Sequence, residues 1–234
     1  ASLTDNTKYM NRALPVKKSF DIIERNLIIG GQNSAFYFID GFTKDETMLK
    51  LMDSFLNISA DDMPEDATSF SASCIPYVEV DILGDFDSIF KNLLSGVTCL
   101  FIDGYEAAIA IDCRTYPSRS IEEPDKDKSL RGSRDGFVET IVFNTALMRR
   151  RIRDPHLIME MYETGASTRT DVALCYMSDR VDRELLTTIQ NKLGEIKSQD
   201  LKMSQQSLAE ALFQRKWYNP FPKYKFTERP DTAC

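Results

Sequence analysis

The amino-acid sequence predicts a mixed α+β fold of two similar lobes, each a small mixed sheet with flanking helices, joined by a charged linker. The 234 residues are 42% hydrophobic and 28% charged, an ordinary composition for one or two folded domains. β-prone runs occur in pairs around short turns that contain glycine, and capped helical patterns follow them. A hairpin followed by a capped helix occurs at 20–56 and again at 157–196. This recurrence is consistent with a duplication and equally with the repeated use of a common unit.

The predicted strands form three hairpins and one further strand. The paired runs are 20–29 with 35–39, 97–102 with 107–111, and 157–162 with 172–177. Gly30-Gly31 lies in the first turn and Asp103-Gly104 in the second, where the chain needs backbone angles that glycine adopts readily. Residues 77–83 alternate like a half-buried strand.

Helices are predicted from apolar periodicity and from capping residues. They are a short one near the N-terminus, 43–56, 85–94, 133–152, 182–196 and 205–217. Thr43 and Glu46 are spaced as a capping box, and Ser133 can cap the helix that ends before Asp154-Pro155. The predicted inward-facing residues are Met48, Leu49, Met52 and Phe55 in the second helix and Phe137, Ile141 and Met148 in the fourth. The polar stretch 59–73 is predicted to be a loop.

The domain boundaries follow from a change in composition. Residues 117–134 contain alternating charges and two prolines, which predicts a linker. The expected division is therefore an N-terminal α/β lobe at 1–116, a charged linker at 117–134 and a C-terminal α/β lobe at 135–234.

The residue types that carry most enzyme and metal chemistry are sparse. His156 is the only histidine, and it follows Pro155 in a charged turn, so we expect a solvated loop residue. The five cysteines show no CxxC spacing, and there is no glycine-rich phosphate loop. We therefore expect no catalytic residue, no metal ligand and no cofactor, and we expect that the chain is not an enzyme.

Charge distribution limits the possible partners. The net charge of −7 and the pI near 4.9 argue against nucleic acid. The basic tract at 149–153 is explained by the favourable position of cations at a helix C-terminus, and carboxylates or anionic lipid headgroups suit it better than nucleic acid. Charges are dense from Arg119 to Glu139, which predicts either an exposed flexible linker or an ordered charged seam between lobes or subunits. The candidate interaction residues are Arg119, Glu123, Arg131, Arg134, Asp135, Glu139, Asn144, Arg149, Arg150 and Arg151.

The same part of the chain carries a family resemblance. The relevant strings are RSIEEP at 119–124, RGSRDGFVET at 131–140, NTALMRRRI at 144–152, NPFP at 219–222 and TERPD at 227–231. Together they resemble the A subunit of GerA-type spore germination proteins over nearly the whole chain. YPSR at 116–119, DKDK at 125–128 and GSRD at 132–135 resemble more closely the stage V sporulation protein AF branch of this family. Receptor A subunits more often have a proline at the position of Ser133, so the resemblance argues against direct germinant sensing.

The resemblance implies a location and a role. Such proteins continue past the TERPD string into transmembrane helices absent from this chain, and they reside in the spore inner membrane with this domain facing the spore core or cytoplasm. Their membrane parts are thought to form an oligomeric ion channel. The implied partners are other copies of the chain and other germination membrane proteins, and the implied function is subunit assembly and signal coupling. The alternative is a small-ligand domain that binds a nutrient germinant between the two lobes.

Overall fold

The computed structural model describes residues 2–43, 45–77, 79–116, 135–165, 169–196, 204–212 and 224–234. The predicted linker at 117–134, the Ser133 cap and the predicted helix beyond Leu212 lie outside these residues. No helix in the described part of the chain combines the length and the apolar character that crossing a bilayer requires.

The described part of the chain contains both helices and strands. The helices are α1 (Leu3–Ala13), α2 (Asp45–Leu56), α3 (Ala67–Cys74), α4 (Phe86–Leu94), α5 (Ile141–Arg151), α6 (Arg183–Glu195), α7 (Ser204–Leu212) and α8 (Pro230–Ala233), with a short 3-10 turn at Ala60–Asp62. The strands are β1 (Ile22–Ile29), β2 (Gln32–Ile39), β3 (Val80–Leu83), β4 (Thr98–Ile102), β5 (Ala108–Ile111), β6 (Leu157–Thr164) and β7 (Thr170–Met177). The mixed α and β fold class predicted from the sequence is confirmed.

The strands form a five-stranded sheet and a separate two-stranded sheet. The first has the order β1-β2-β4-β5-β3 and the second is β6-β7, and every pairing is antiparallel. The three predicted hairpins are all present. Gly30 and Gly31 adopt φ values of 53° and 78°, which a two-residue hairpin turn requires and which side chains disfavour.

The five-stranded sheet is covered by helices on both faces. One face packs its alternate residues against α1, α4 and Ala146 of α5, and the other packs against α2 and α3. Aromatic residues contribute large side chains to this core, with Phe36, Tyr37, Phe42 and Phe55 all fully buried. The contact of α5 with the first face brings the C-terminal part of the chain onto the N-terminal sheet.

Two sequence predictions in the N-terminal part were wrong. The stretch predicted as a loop at 59–73 contains α3, because Asp66 caps it by accepting a hydrogen bond from the Ser69 amide at 2.7 Å and Phe70 is buried in the core. Thr43 forms no capping box, since its buried hydroxyl has no hydrogen-bond partner among the described residues and α2 begins at Asp45.

Helix faces also differ from the predicted ones. Leu49 is 63% exposed, and Leu51 is buried in its place. Helix α5 begins at Ile141, eight residues after Ser133, and its buried residues are Thr145, Ala146, Leu147 and Arg149. The side chain of Asn144 binds the backbone N–H and C=O of Val138 at 2.7 and 2.6 Å, which holds the preceding segment in a non-helical conformation.

Candidate functional site

Three consecutive arginines end helix α5, and each contacts a different part of the chain. Arg149, Arg150 and Arg151 occupy its last turn, where cations interact favourably with the helix dipole. We call these three residues and their partners the arginine junction. Neighbouring positions on a helix point about 100° apart, so the three side chains leave the helix in different directions.

Arg149 is fully buried and binds the start of strand β1. Its Nε donates to Asp21 Oδ2 at 2.6 Å and its Nη2 donates to Asp21 Oδ1 at 3.2 Å. The same guanidinium donates to the carbonyl oxygens of Asp154 at 3.0 Å and Leu157 at 2.9 Å. One side chain therefore fastens the N-terminal sheet, the end of α5 and the start of β6 to each other.

Ser19 completes this buried cluster. Its hydroxyl donates to Asp21 Oδ1 and accepts a hydrogen bond from the Met159 amide at 2.9 Å, and the Phe20 amide donates to the Met159 carbonyl at 3.0 Å. A buried ion pair offsets the cost of removing its charges from water only when further hydrogen bonds satisfy both groups. The carboxylate and the guanidinium both meet that condition here.

Arg150 contacts the residue that precedes the predicted linker. Its guanidinium carbon lies 4.6 Å from the centroid of the Tyr116 ring, within the range of a cation–π interaction. The Tyr116 hydroxyl donates to the Ser95 carbonyl at 2.8 Å, and its ring packs edge-on against Phe42 at 5.2 Å. Tyr116 is thus held by the N-terminal lobe on one side and by α5 on the other.

Arg151 contacts the residue that follows the predicted linker. Its Nη2 lies 2.9 Å from Asp135 Oδ2. It also lies near helix α8. There the pKa of Asp231 is lowered mainly by a hydrogen bond from Arg229, and to a smaller extent by the positive charges of Arg229 and Arg151. The charge of Arg151 therefore acts on both the end of the charged segment and the C-terminal helix.

The junction holds both ends of the segment 117–134. Tyr116 is the last described residue before this segment and Asp135 is the first after it, and their partners are adjacent residues of α5. The chain leaves the junction at Tyr116 and returns to it at Asp135.

The structure brings four of the predicted interaction residues together and separates two others. Asp135, Arg149, Arg150 and Arg151 belong to the junction, whereas Asn144 braces the backbone before α5 and Glu139 is exposed. Arg119, Glu123, Arg131 and Arg134 lie outside the described residues. Arg149 was predicted as an interaction residue; because its guanidinium is buried against Asp21, we correct its role to an internal one.

The described ranges test the sequence predictions about metal ligands and about His156. No cluster of three or more histidine, cysteine or acidic side chains there is arranged to hold a metal ion. His156 is 54% exposed at its side chain, and its Nδ1 lies 2.8 Å from Asp154 Oδ1 within the same turn. Its predicted position in a solvated loop is confirmed.

Sequence reasoning missed Ser19, Asp21 and Tyr116. Asp21 interrupts an apolar run at the start of a strand. A charged residue in such a run is rarely buried without a partner, so this position is the local signal that an ion pair could have been expected there. Its partner lies 128 positions away, so no pattern of local spacing could identify it.

Comparison with known proteins identifies several similar sequences. A family model described as Bacillus/Clostridium GerA spore germination protein matches residues 8–234. The chain is 33% identical over 230 residues to stage V sporulation protein AF of Bacillus subtilis (strain 168), an alignment that covers 98% of this chain and 46% of the relative. It is 29% identical over 223 residues to spore germination protein KA of the same organism, covering 94% of this chain and 41% of the relative. The chain therefore spans less than half the length of these curated relatives.

One solved structure has a similar fold. The crystal structure of the N-terminal domain of the A subunit of the Bacillus megaterium spore germinant receptor GerK3 has a TM-score of 0.68. It is 22% identical and covers 99% of this chain and 86% of that chain. At this level of identity the likeness supports the fold alone.

Proposed function

The chain belongs to the Bacillus/Clostridium GerA spore germination protein family, and on that premise we propose that it is the N-terminal domain of an A-type subunit that couples subunit assembly to signalling during spore germination. In this proposal the complete protein lies in the spore inner membrane, with the domain on the side of the spore core. The membrane part forms or supports an oligomeric ion channel. The partners are other copies of the chain and other germination membrane proteins.

The observation that carries this proposal is the arginine junction. Three adjacent side chains connect the N-terminal sheet and the two ends of the charged segment to one turn of α5, and the C-terminal helix α8 packs against the same helix. A displacement of any of these parts changes contacts that the others share. Such a junction suits a domain that passes a change at a subunit contact to the rest of the protein.

The proposed contact with neighbouring copies uses the charged segment that the junction holds. Arg119, Glu123, Arg131 and Arg134 supply both signs of charge in a short stretch, which favours complementary pairing between identical chains. Exposed charge pairs are individually weak and are screened by salt, so this contact depends on the membrane part to hold the copies close together.

Substitution of the exposed junction residues in the complete gene product tests the proposal. The variant Arg150→Ala with Arg151→Ala removes the cation–π contact and the ion pair to Asp135 but leaves the buried Asp21 pair intact. We expect slower germination of spores that carry it, with a normal level of the protein in the spore membrane. The matched control is Arg153→Ala, which removes an exposed arginine of the same tract whose Nε donates to the Arg150 carbonyl at 3.3 Å. Normal germination of the double variant would refute the coupling role.

A cavity beside Tyr116 favours small-ligand binding as a second candidate function. It has a volume of about 560 Å³ and is lined by Tyr77, Glu79, Asp112, Arg114 and Tyr116. Arg114 binds Asp112 through Nε at 2.6 Å and the Ser95 hydroxyl through Nη1 at 3.1 Å. Opposite charges beside aromatic rings suit a zwitterion such as an amino acid.

A thermal-shift screen of the chain against amino acids tests this second function. The expected result is a saturable rise in melting temperature, and Glu79→Gln should reduce this rise. The control Glu106→Gln should leave it unchanged, because Glu106 is exposed and lies outside the cavity lining. A flat screen, or a shift that both variants retain, would refute the zwitterion site and would leave the coupling proposal to be decided by the germination experiment.

A further inference from the structure

The two surface helices on opposite faces of the five-stranded sheet differ in the sign of their charge. Helix α1 packs on one face of the sheet and helix α2 packs on the other. Residues 2–18 carry four exposed cations and one exposed carboxylate, which are Lys8, Arg12, Lys17, Lys18 and Asp5. Residues 45–66 carry one exposed cation and seven exposed carboxylates, which are Lys50, Asp45, Glu46, Asp53, Asp61, Asp62, Glu65 and Asp66. The chain is therefore electrically asymmetric across this sheet.

An exposed aromatic ring lies among the cations of α1. Tyr9 is 48% exposed, and its ring centroid lies 4.3 Å from that of Phe86 and 6.1 Å from that of Phe90, two partly buried residues of α4. Lys8 precedes the tyrosine, and Arg12 follows it one turn later. Tyrosine and arginine are enriched among the residues that contribute most to protein–protein binding. We call these five residues the α1 face.

Two leucines are exposed on α2. Leu49 is 63% exposed and Leu56 is 58% exposed, and their spacing of two helical turns places them on the same side of the helix. Glu46 and Asp53 lie one turn before and one turn after Leu49, so carboxylates border this apolar stripe. Single exposed apolar residues are ordinary, but an apolar stripe with a charged border is typical of a protein contact. We call these four residues the α2 face.

The two faces are complementary to each other and not to themselves. An apolar centre with a positive border matches an apolar centre with a negative border. Pairing two α2 faces would bring carboxylates together, and pairing two α1 faces would bring cations together, and both arrangements are unfavourable. Because the two faces lie on opposite sides of one sheet, a single copy cannot bring them into contact.

We propose that the α1 face of one copy docks on the α2 face of a second copy, so that copies associate head to tail. Such a contact is heterologous, and each copy of a docked pair keeps one face for a further copy. This inference rests on the proposed association of identical copies, and it assigns that association a pair of surfaces outside the segment 117–134. The charges at both borders are exposed, so the contact weakens as the salt concentration rises.

Cysteine cross-linking in the complete gene product tests this contact. One copy carries Tyr9→Cys and a second, separately tagged copy carries Leu49→Cys, in a background in which Cys74 and Cys234 are replaced by serine. We expect a short bismaleimide to link the two copies when they are produced together and not when either is produced alone. The matched control replaces Leu49→Cys by Ile28→Cys, because Ile28 is 64% exposed but lies on the α1 side of the sheet.

Charge reversal separates a docking role of these residues from a structural one. Lys8→Glu with Arg12→Glu on the first copy should reduce the yield of linked dimer several-fold. Glu46→Lys with Asp53→Lys on the second copy should reduce it similarly, because like charges then face each other. Combining the two reversed copies should restore the yield, since opposite charges meet again. All four side chains are exposed, so we expect each variant to reach the membrane at the normal level.

Several results would overturn the docking of these two faces. They are the absence of the linked dimer, equal linking through Ile28→Cys, linking between two Leu49→Cys copies, and no recovery of the yield when both copies are reversed. The variant Arg150→Ala with Arg151→Ala leaves both faces unchanged. Slower germination of that variant without a linked dimer would support the coupling role and refute only the contact proposed between α1 and α2.

Discussion

Replacing Arg149 by methionine tests whether the buried pair with Asp21 holds the two parts of the chain together. Methionine keeps most of the apolar length of the side chain and removes the guanidinium. The Asp21 carboxylate, which is 1% exposed, is then left with the Ser19 hydroxyl as its side-chain donor among the described residues. The carbonyls of Leu157 and Asp154 also lose a donor.

The expected loss of stability is large for one substitution. Removing one partner of a buried ion pair costs about 3–5 kcal/mol, because an uncompensated charge remains in the interior. For a chain of this length that corresponds to a fall in melting temperature of roughly 6–20 °C. Urea unfolding followed by circular dichroism measures the free energy, and thermal unfolding gives an independent estimate.

An exposed pair provides the control for this prediction. Arg180 Nε lies 3.2 Å from Asp179, but the arginine side chain is 73% exposed, so Arg180→Met should change the stability by less than about 0.5 kcal/mol. The double variant Asp21→Leu with Arg149→Met should recover part of the loss, since it removes both charges. A loss below about 1 kcal/mol in Arg149→Met, or equal losses in the two arginine variants, would refute the structural role of the pair.

Three further predictions follow from other parts of the fold. Burial raises the pKa of Glu160, but hydrogen bonds from two tyrosines and a glutamine outweigh it and lower the pKa below the usual value. The loss of stability caused by Glu160→Gln should therefore have its full size above about pH 5, where the wild-type carboxylate is charged. The loss should become smaller toward pH 3, and the midpoints of urea unfolding measure it. Gly96→Ala should destabilise the chain by about 1–3 kcal/mol, because φ at Gly96 is 99° and an added Cβ would lie 2.4 Å from the Phe42 ring. The control Gly84→Ala should change the stability little, because no atom lies within 4 Å of an added Cβ there. Burial raises the pKa of Cys99 to about 12, so a thiol reagent at pH 8 should label the exposed Cys234 in the folded chain and Cys99 only after unfolding.

Each of these predictions has an outcome that contradicts it. A stability difference between wild type and Glu160→Gln that stays constant from pH 7 to pH 3 would show that the carboxylate charge contributes nothing. Equal stability of the two alanine variants at Gly96 and Gly84 would mean that the glycine conformation is not required. Rapid labelling of Cys99 in the folded chain would show that the core of the sheet opens readily.

The hairpins were predictable from the sequence because their signals are local. Gly30-Gly31 and Asp103-Gly104 mark turns between apolar runs, and Asp85 and Asp182 cap helices at the predicted positions. Helix α3 was not predicted because it is short, rich in serine, and buries only Ala67 and Phe70. Its apolar pattern is too brief to be distinguished from a loop.

The candidate site was predictable only in part. The density of charge around Asp135 and Arg151 indicated that this region matters, but local spacing could not show which arginine turns inward. Arg149, Arg150 and Arg151 have the same side chain and adjacent positions, and their different roles arise from partners that are distant in sequence. Only the tertiary structure supplies Asp21 and Tyr116 as neighbours.

The anchoring of Tyr116 and Asp135 to one helical turn has a consequence for the segment 117–134 that lies between them. Loss of either anchor would release one end of this segment without breaking the buried pair of Arg149 with Asp21. The packing of α5 on the five-stranded sheet and the attachment of this segment are therefore separable, because a substitution can change one and keep the other.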